Sequence, residues 1–162
     1  MNIRRAQRTD VPAMREIFNE VLRNSNSIYR EEEVTLEERY AWFDEKLEHG
    51  FPIFGAYEGD HLIGYAGYGT WRAAQGYRKS VELTIYVDQK RRGKGIGSKL
   101  MQTIIEHAKA DGYHVMIGAI DAANQQSIEF HKRFGFVEVA RMPEVALKND
   151  QWLTLVFMQK LL

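Results

Sequence analysis

Apolar residues along the chain recur with two different periods, and the order of those periods predicts the architecture. Residues 2–7 read as a short strand. Met14, Ile17, Phe18, Val21 and Leu22 then fall at helical spacing, behind Asp10 as a predicted cap and Pro12 in the first turn. Residues 23–34 are polar, keep no period and are expected to be irregular. Thr35 with Glu38 makes a capping box for a second helix that carries Tyr40, Trp42, Phe43 and Leu47 and stops at Gly50.

Beyond Gly50 the period shortens to two. Strands are predicted over 52–58 and 61–69, joined by the hairpin signal Glu58-Gly59-Asp60. Residues 70–78 form a loop rich in aromatics and arginine. A strand over 79–88 places Val81, Leu83, Ile85 and Val87 on one face and Glu82, Thr84 and Tyr86 on the other. A helix from about 95 to 111 carries Ile96, Leu100, Ile104, Ile105 and Ala108, and Gly112 ends it. A strand over 114–120, a short helix capped by Asn124 and ending near Phe134-Gly135, and strands over 136–142 and 152–159 complete the chain. Pro12, Pro52 and Pro143 each stand where an element is expected to begin or end. The first half is antiparallel in character, and the strand–turn–helix–strand centre is a right-handed crossover. The pattern predicts an α/β (α+β) fold, a mixed sheet flanked by helices, in one domain spanning 1–162.

Composition narrows the function. Lys plus Arg equals Asp plus Glu at 22 each, so a general nucleic-acid binder, which needs a basic excess, is not expected. There are no cysteines, which excludes disulfides, thiolate metal sites and a cysteine nucleophile. No metal is expected. Acyl transfer, if it occurs, must be direct or use another nucleophile. The polar start Met1-Asn2-Ile3-Arg4-Arg5 does not read as a signal peptide, and no apolar run approaches a membrane span, so the cytoplasm is expected.

The local exception to the charge balance is the segment Gln89-Lys90-Arg91-Arg92-Gly93-Lys94-Gly95-Ile96-Gly97-Ser98, which leaves a strand and opens a helix. Glycines let successive N–H groups converge without a Cβ in the way, and a helix N-terminus adds partial positive charge. Four of residues 90–94 are cationic, which suits a polyanion of pyrophosphate size. The spacing G-x-G-x-G, with Ser98 where a third glycine would stand, is not a dinucleotide fingerprint, and no nucleotide P-loop is present. A glycine-rich cap with a solvated basic run is the plain alternative.

Arg92-Gly93-Lys94-Gly95-Ile96-Gly97, after the strand Val81–Val87, resembles the acetyl-CoA motif of the GNAT superfamily of N-acetyltransferases. The run Asn124-x-x-Ser127-x-x-x-His131-x-x-x-Gly135-Phe136 resembles their second motif. Tyr68-Gly69-Thr70-Trp71-Arg72, Ser80-Val81-Glu82 with Ile85-Tyr86-Val87, and Met142-Pro143-Glu144-Val145 are most similar to the subfamily that acetylates phosphinothricin and methionine sulfoximine. The resemblance implies a mostly antiparallel GNAT sheet and acetyl-CoA as co-substrate. It places backbone groups of Ile85, Tyr86 and Val87 along the pantetheine arm and Arg92, Gly93, Lys94, Gly95, Ile96, Gly97 and Ser98 around the pyrophosphate. Asn124 would contact the cofactor further on, and a homodimer is implied.

Acetylating an amine requires a base for its proton, a donor for the oxyanion and, where needed, an acid for the thiolate. Glu82, in an otherwise apolar strand, is the candidate base; the alternative is an outward residue of a half-exposed strand. His131 occupies a position where many relatives carry a tyrosine acid, and otherwise packs beside Ile128. Asn124 is a good N-cap whatever else it does. Arg72, with Ala73 and Ala74, is the candidate contact for a substrate carboxylate, with Trp71 and Tyr77 as walls; a solvated loop is the alternative. Tyr29, Trp42 and Phe43 belong either to the core or to the pocket. Where relatives carry Lys-Phe-Gly-Arg-Trp, this chain has Lys148-Asn149-Asp150-Gln151-Trp152, and Leu83 stands where histidine is frequent. Both departures bear on the acceptor. The expected activity is transfer of acetyl to the α-amine of a small amino acid or analogue. The alternatives are a protein N-terminus or other amine as acceptor, or a silent acyl-CoA sensor.

Overall fold

The computed structural model describes residues 1–162. The elements run β1 (Asn2–Arg5), α1 (Val11–Asn24), α2 (Leu36–Glu48), β2 (Ile53–Glu58), β3 (His61–Thr70), β4 (Ser80–Val87), α3 (Ile96–Ala110), β5 (Val115–Asp121), α4 (Gln125–Arg133), β6 (Val137–Lys148) and β7 (Gln151–Leu161). One seven-stranded sheet has the order β1-β2-β3-β4-β5-β7-β6. Every neighbouring pair is antiparallel except β4–β5. This is the mixed α/β arrangement expected from the periods. No helix is long and apolar enough to cross a membrane.

The sheet divides the apolar residues between two faces. Val81 and Leu83 of β4, Met116 and Ile120 of β5, and Leu100 and Ile104 of α3 form one core. On the other face Met14 and Ile17 of α1 and Phe43 of α2 pack on Ile53 and Tyr65. Thr35 accepts from Glu38 N–H at 3.1 Å, and the Glu38 carboxylate accepts from Thr35 N–H at 3.1 Å, so the predicted capping box forms.

Three expectations are corrected. Strand β1 stops at Arg5, because residues 8–10 turn into a 3-10 helix. Asp10 does not cap α1 with its side chain; its carboxylate accepts from Gln7 N–H and from the Tyr57 hydroxyl, at 2.7 and 2.6 Å. β6 runs on to Lys148, well past the expected 142, β7 spans Gln151–Leu161 and slightly exceeds the expected 152–159, and Pro143 lies inside β6 instead of at its end. The register breaks between Met142 and Ala146, and Glu144 has a φ of 52°. A bulge on an edge strand tolerates a residue without an N–H. Asn149 and Asp150, at φ 48° and 61°, supply the tight turn.

Candidate active site

β4 and β5 pair only at Ser80–Val115, Val81–Met116 and Glu82–Ile117. Past Glu82 they part: β4 continues to Val87 beside β3, and β5 continues to Asp121 beside β7. On the β5 side, the N–H and C=O groups of residues 83–87 therefore have no strand partner. The gap is a cleft of about 880 Å³, within the usual range for small-molecule sites. Glu82 marks its narrow end, where the last parallel pair forms.

The basic turn lies at the other end. Gly93 and Gly95 have φ of 78° and 76°, a conformation that costs other residues about 1–2 kcal/mol. Gly95 is the N-cap of α3 and offers no side-chain cap, which leaves the first-turn N–H groups to a ligand. Arg92, Gly93, Gly95, Ile96, Gly97 and Ser98 line the cleft. Lys94 is exposed and lies outside the lining, and Arg91 is tied to Glu58 at 2.7 Å. Ile85, Tyr86 and Val87 line the cleft between its ends. Asn124 also lines it, and accepts from Ser127 N–H at 3.1 Å as an N-cap, so both expectations for it are compatible.

Glu82 is half-buried. Burial pushes its carboxyl above the usual carboxylate range, and the Lys46 ammonium partly offsets this. His131 is 3 % exposed and also lines the cleft. A Cβ on Gly118 would lie 3.1 Å from its Cδ2 and Nε2, so the glycine admits the ring against β5. His131 Nδ1 meets the Ser127 carbonyl at 2.7 Å; a carbonyl only accepts, so Nδ1 carries the proton. Nε2 is buried, without a partner, and presents a lone pair. Burial lowers the histidine pKa, opposed by the Ser127 bond, which favours this neutral form.

The residues expected around the acceptor are less well gathered. Arg72, Ala73 and Ala74 are exposed and do not line the cleft. Trp71 packs on Phe157 with ring centroids 5.1 Å apart, and Tyr77 is 45 % exposed; neither walls the cleft. Phe43 is core, whereas Tyr29 is a cleft residue. The Tyr29 hydroxyl donates to buried Asp121 at 2.6 Å, and burial together with that carboxylate raises its pKa. Ser27 and Ile28 join Tyr29 in walling the cleft and were not anticipated, because residues 23–34 have no period. Phe130 and Arg133 of α4 were also not anticipated; both line the cleft, the guanidinium 5.6 Å from the ring centroid.

A strand pair that opens beside a half-buried glutamate and ends at a glycine-capped helix makes a cleft suited to an extended ligand with an anionic end. The profile of the Acetyltransferase (GNAT) family matches residues 11–136, and the chain belongs to that family. It is an N-acetyltransferase. It is 43% identical over 159 residues, covering 98% of this chain and 92% of the relative, to an L-methionine sulfoximine/L-methionine sulfone acetyltransferase of Pseudomonas aeruginosa. The crystal structure of a ribosomal-protein-alanine N-acetyltransferase from Brucella melitensis superposes with a TM-score of 0.98 at 40% identity, covering 100% of both chains. A phosphinothricin acetyltransferase from Sinorhizobium meliloti, solved in complex with acetyl-CoA, superposes at 0.95 with 32% identity, covering 99% of this chain and 88% of that one.

Proposed function

We propose that the protein transfers acetyl from acetyl-CoA to the α-amine of a small amino acid or analogue of the methionine sulfoximine, methionine sulfone or phosphinothricin type. The placement of Glu82 carries this reading: it is the last residue of β4 paired with β5 and lines the cleft where the strands part. The residues present suit acetyl-CoA. Strand edges at Ile85, Tyr86 and Val87 match the amide-bearing pantetheine arm, and the Arg92–Ser98 turn matches the pyrophosphate. When bound, acetyl-CoA supplies the thioester carbonyl as electrophile.

Glu82 takes a proton from the acceptor ammonium and frees the nitrogen lone pair for attack. A raised carboxyl pKa makes Glu82 a stronger base than an ordinary glutamate. The carbon–nitrogen bond forms, the carbon–sulfur bond breaks, and the second proton of the attacking nitrogen passes to the leaving thiolate, so the products are the amide and the thiol. His131 stands against β5 on the α3–α4 face of the cleft, where we assign it to the leaving group. It acts as an acid only after Nε2 has taken a proton, because the resting ring offers Nε2 as an acceptor. Arg72, Ala73 and Ala74 are assigned to the outer rim of the acceptor path, two to four residues beyond Thr70 of β3.

A homodimer is part of the proposal. Edge strand β6 exposes Val137, Val139, Met142, Val145 and Leu147, and Trp152 on β7 is 62 % exposed. A second copy covers such a strip without any new partner.

The test is a thiol-release screen with acetyl-CoA against free amino acids, methionine sulfoximine, methionine sulfone, phosphinothricin and an alanine-terminated peptide. Turnover of the amino acids or analogues is expected. Turnover of the peptide alone transfers the reading to protein N-termini, an acceptor class borne in the name of the Brucella relative. Acetyl-CoA binding without turnover of any amine leaves a sensor.

A further inference from the structure

The face of α2 turned toward the sheet carries two cations, Arg39 and Lys46, seven residues apart. Arg39 is 5 % exposed, and its guanidinium lies 3.7 Å from the Trp42 ring centroid and 4.3 Å from that of Phe18. Its Nη2 donates to the Tyr65 hydroxyl at 2.6 Å, and its Nε is buried with no partner. Lys46 is half-buried, 5.6 Å from the Phe51 ring centroid. Neither cation forms an ion pair with a carboxylate.

The Lys46 ammonium occupies the room that Gly69 leaves by lacking a side chain; a Cβ there would collide with Nζ. Gly69 pairs directly with Glu82 across β3 and β4, and opposed residues in an antiparallel pair share one face. The ammonium therefore stands beside the proposed base, beyond ion-pair distance. A cavity of about 200 Å³ opens next to it, lined by Trp42, Glu45, Lys46, His49, Phe51 and Thr70. Glu45 is exposed, which leaves Glu82 as the half-buried acid facing Lys46.

Glu82 and the exposed Glu45 act on Lys46 only from a distance, and its half-buried ammonium has no carboxylate within ion-pair reach. A charge withdrawn from water without a partner is costly, so the unpaired ammonium creates a demand for an anionic ligand. A free α-amino acid meets it, because its carboxylate is one carbon from the amine that Glu82 must deprotonate. We propose that Lys46 receives the α-carboxylate of the acceptor, so that the enzyme selects free α-amino acids over their amides and over peptide N-termini. This rests on the amino-acid acetyltransferase reading and narrows it. Lys46, like Arg72, is outside the lining of the main cleft, but it lines the smaller cavity and stands over Gly69 opposite Glu82, whereas Arg72 lines neither and is left to the rim.

The test compares L-methionine sulfone with its carboxamide over a pH series, so that a change in Glu82 titration is read separately from acceptor affinity. Lys46→Met is expected to raise the acceptor KM for the acid about 10- to 100-fold, the loss of one charge-assisted hydrogen bond. Turnover of the amide is expected to fall much less than that of the acid, the remaining loss being the effect of the missing ammonium on Glu82, and the acetyl-CoA KM is expected to hold. Gly69→Ala displaces the ammonium without removing its charge, at the cost of moving only a flexible chain end, and is expected to act in the same direction. Equal losses on acid and amide, or an unchanged preference in both variants, overturn the proposal. If the wild type acetylates neither compound, the substrate reading fails by itself. Calorimetric titration of methionine sulfone into the CoA-loaded protein then decides the inference: Lys46-dependent binding keeps it, and binding indifferent to Lys46, or none, ends it.

Discussion

The ammonium of Lys148, on β6, donates to the carbonyl of Ile28 at 2.7 Å and to those of Leu22 and Ser25 at 2.9 Å. All three of its N–H bonds are thereby spent on the end of α1 and the segment that walls the cleft at Ser27, Ile28 and Tyr29. Lys148 thus positions the wall of the cleft formed by Ser27, Ile28 and Tyr29. Lys148→Met leaves those carbonyls without their donor and is expected to destabilise the fold by about 2–4 kcal/mol. The acceptor KM is expected to rise while the acetyl-CoA KM holds, since the Arg92–Ser98 turn is built from different elements. Urea unfolding and two-substrate kinetics measure both effects. A loss of stability with unchanged acceptor KM would detach Lys148 from the site.

Glu82→Gln separates chemistry from cofactor binding. The substitution keeps the shape and removes the proton acceptor, so kcat/KM is expected to fall about 10²- to 10⁴-fold with the acetyl-CoA Kd unchanged. Because burial raises the Glu82 pKa, its base form is lost as pH falls through a value above the usual carboxylate range. Wild-type activity therefore rises with pH through that value, and the glutamine variant lacks this limb of the profile. A glutamine variant that keeps wild-type rates throughout excludes Glu82 as the base.

Gly118 and His131 give a test of the leaving-group assignment that leaves the histidine in place. A Cβ on Gly118 at 3.1 Å from Nε2 must push the ring, so Gly118→Ala is expected to lower kcat without changing the acceptor KM. The pH dependence tells acid from acceptor. Burial lowers the His131 pKa from its ordinary 6.5, so an acid role makes kcat fall as pH rises through that lowered value. The Nδ1–H bond to Ser127 leaves Nε2 an acceptor and predicts no falling limb that belongs to His131. A falling limb at a pH below 6.5, removed by His131→Phe, restores the acid.

What the sequence shows and what it hides divides along the range of the interactions. The Thr35–Glu38 box, the glycine turn and the Asn124 cap are each local, and each was readable within a few residues. Asp10 carried a valid helix-start signal, but Tyr57, distant in sequence, claims its carboxylate. Pro143 and the left-handed Glu144 interrupt the alternation that would have extended β6. The loop 70–78 had the composition of a binding loop, yet its Trp71 is packed against Phe157. Lys148 meets Ile28 across 120 residues, and Lys46 reaches Glu82 only through the β3–β4 register at Gly69. No periodicity encodes such meetings.

The apolar strip on β6 predicts association. Val139→Glu with Trp152→Glu adds charge to both strands of the exposed hairpin without touching a buried residue. The double variant is expected to sediment as a monomer at concentrations where the wild type is dimeric, with thermal stability otherwise retained. A wild type that sediments as a monomer discards the dimer.

The glycine turn is best tested by a ligand that does not reach it. Gly95→Ala places a Cβ at φ 76°, where no protein atom lies within 4 Å, so the direct cost to folding is only about 1–2 kcal/mol of backbone strain. The larger effect is expected on acetyl-CoA, because the methyl group and any relaxation of φ both disturb the N–H groups that open α3. Acetyl-CoA KM is expected to rise about tenfold or more, the equivalent of one weakened charge-assisted contact. Acetyl-pantetheine lacks the pyrophosphate and should be used equally by wild type and variant. That contrast isolates the turn, since a general distortion of the cleft slows both donors alike. Equal losses on the two would place the pyrophosphate elsewhere; an effect confined to acetyl-CoA fixes it on residues 93–98.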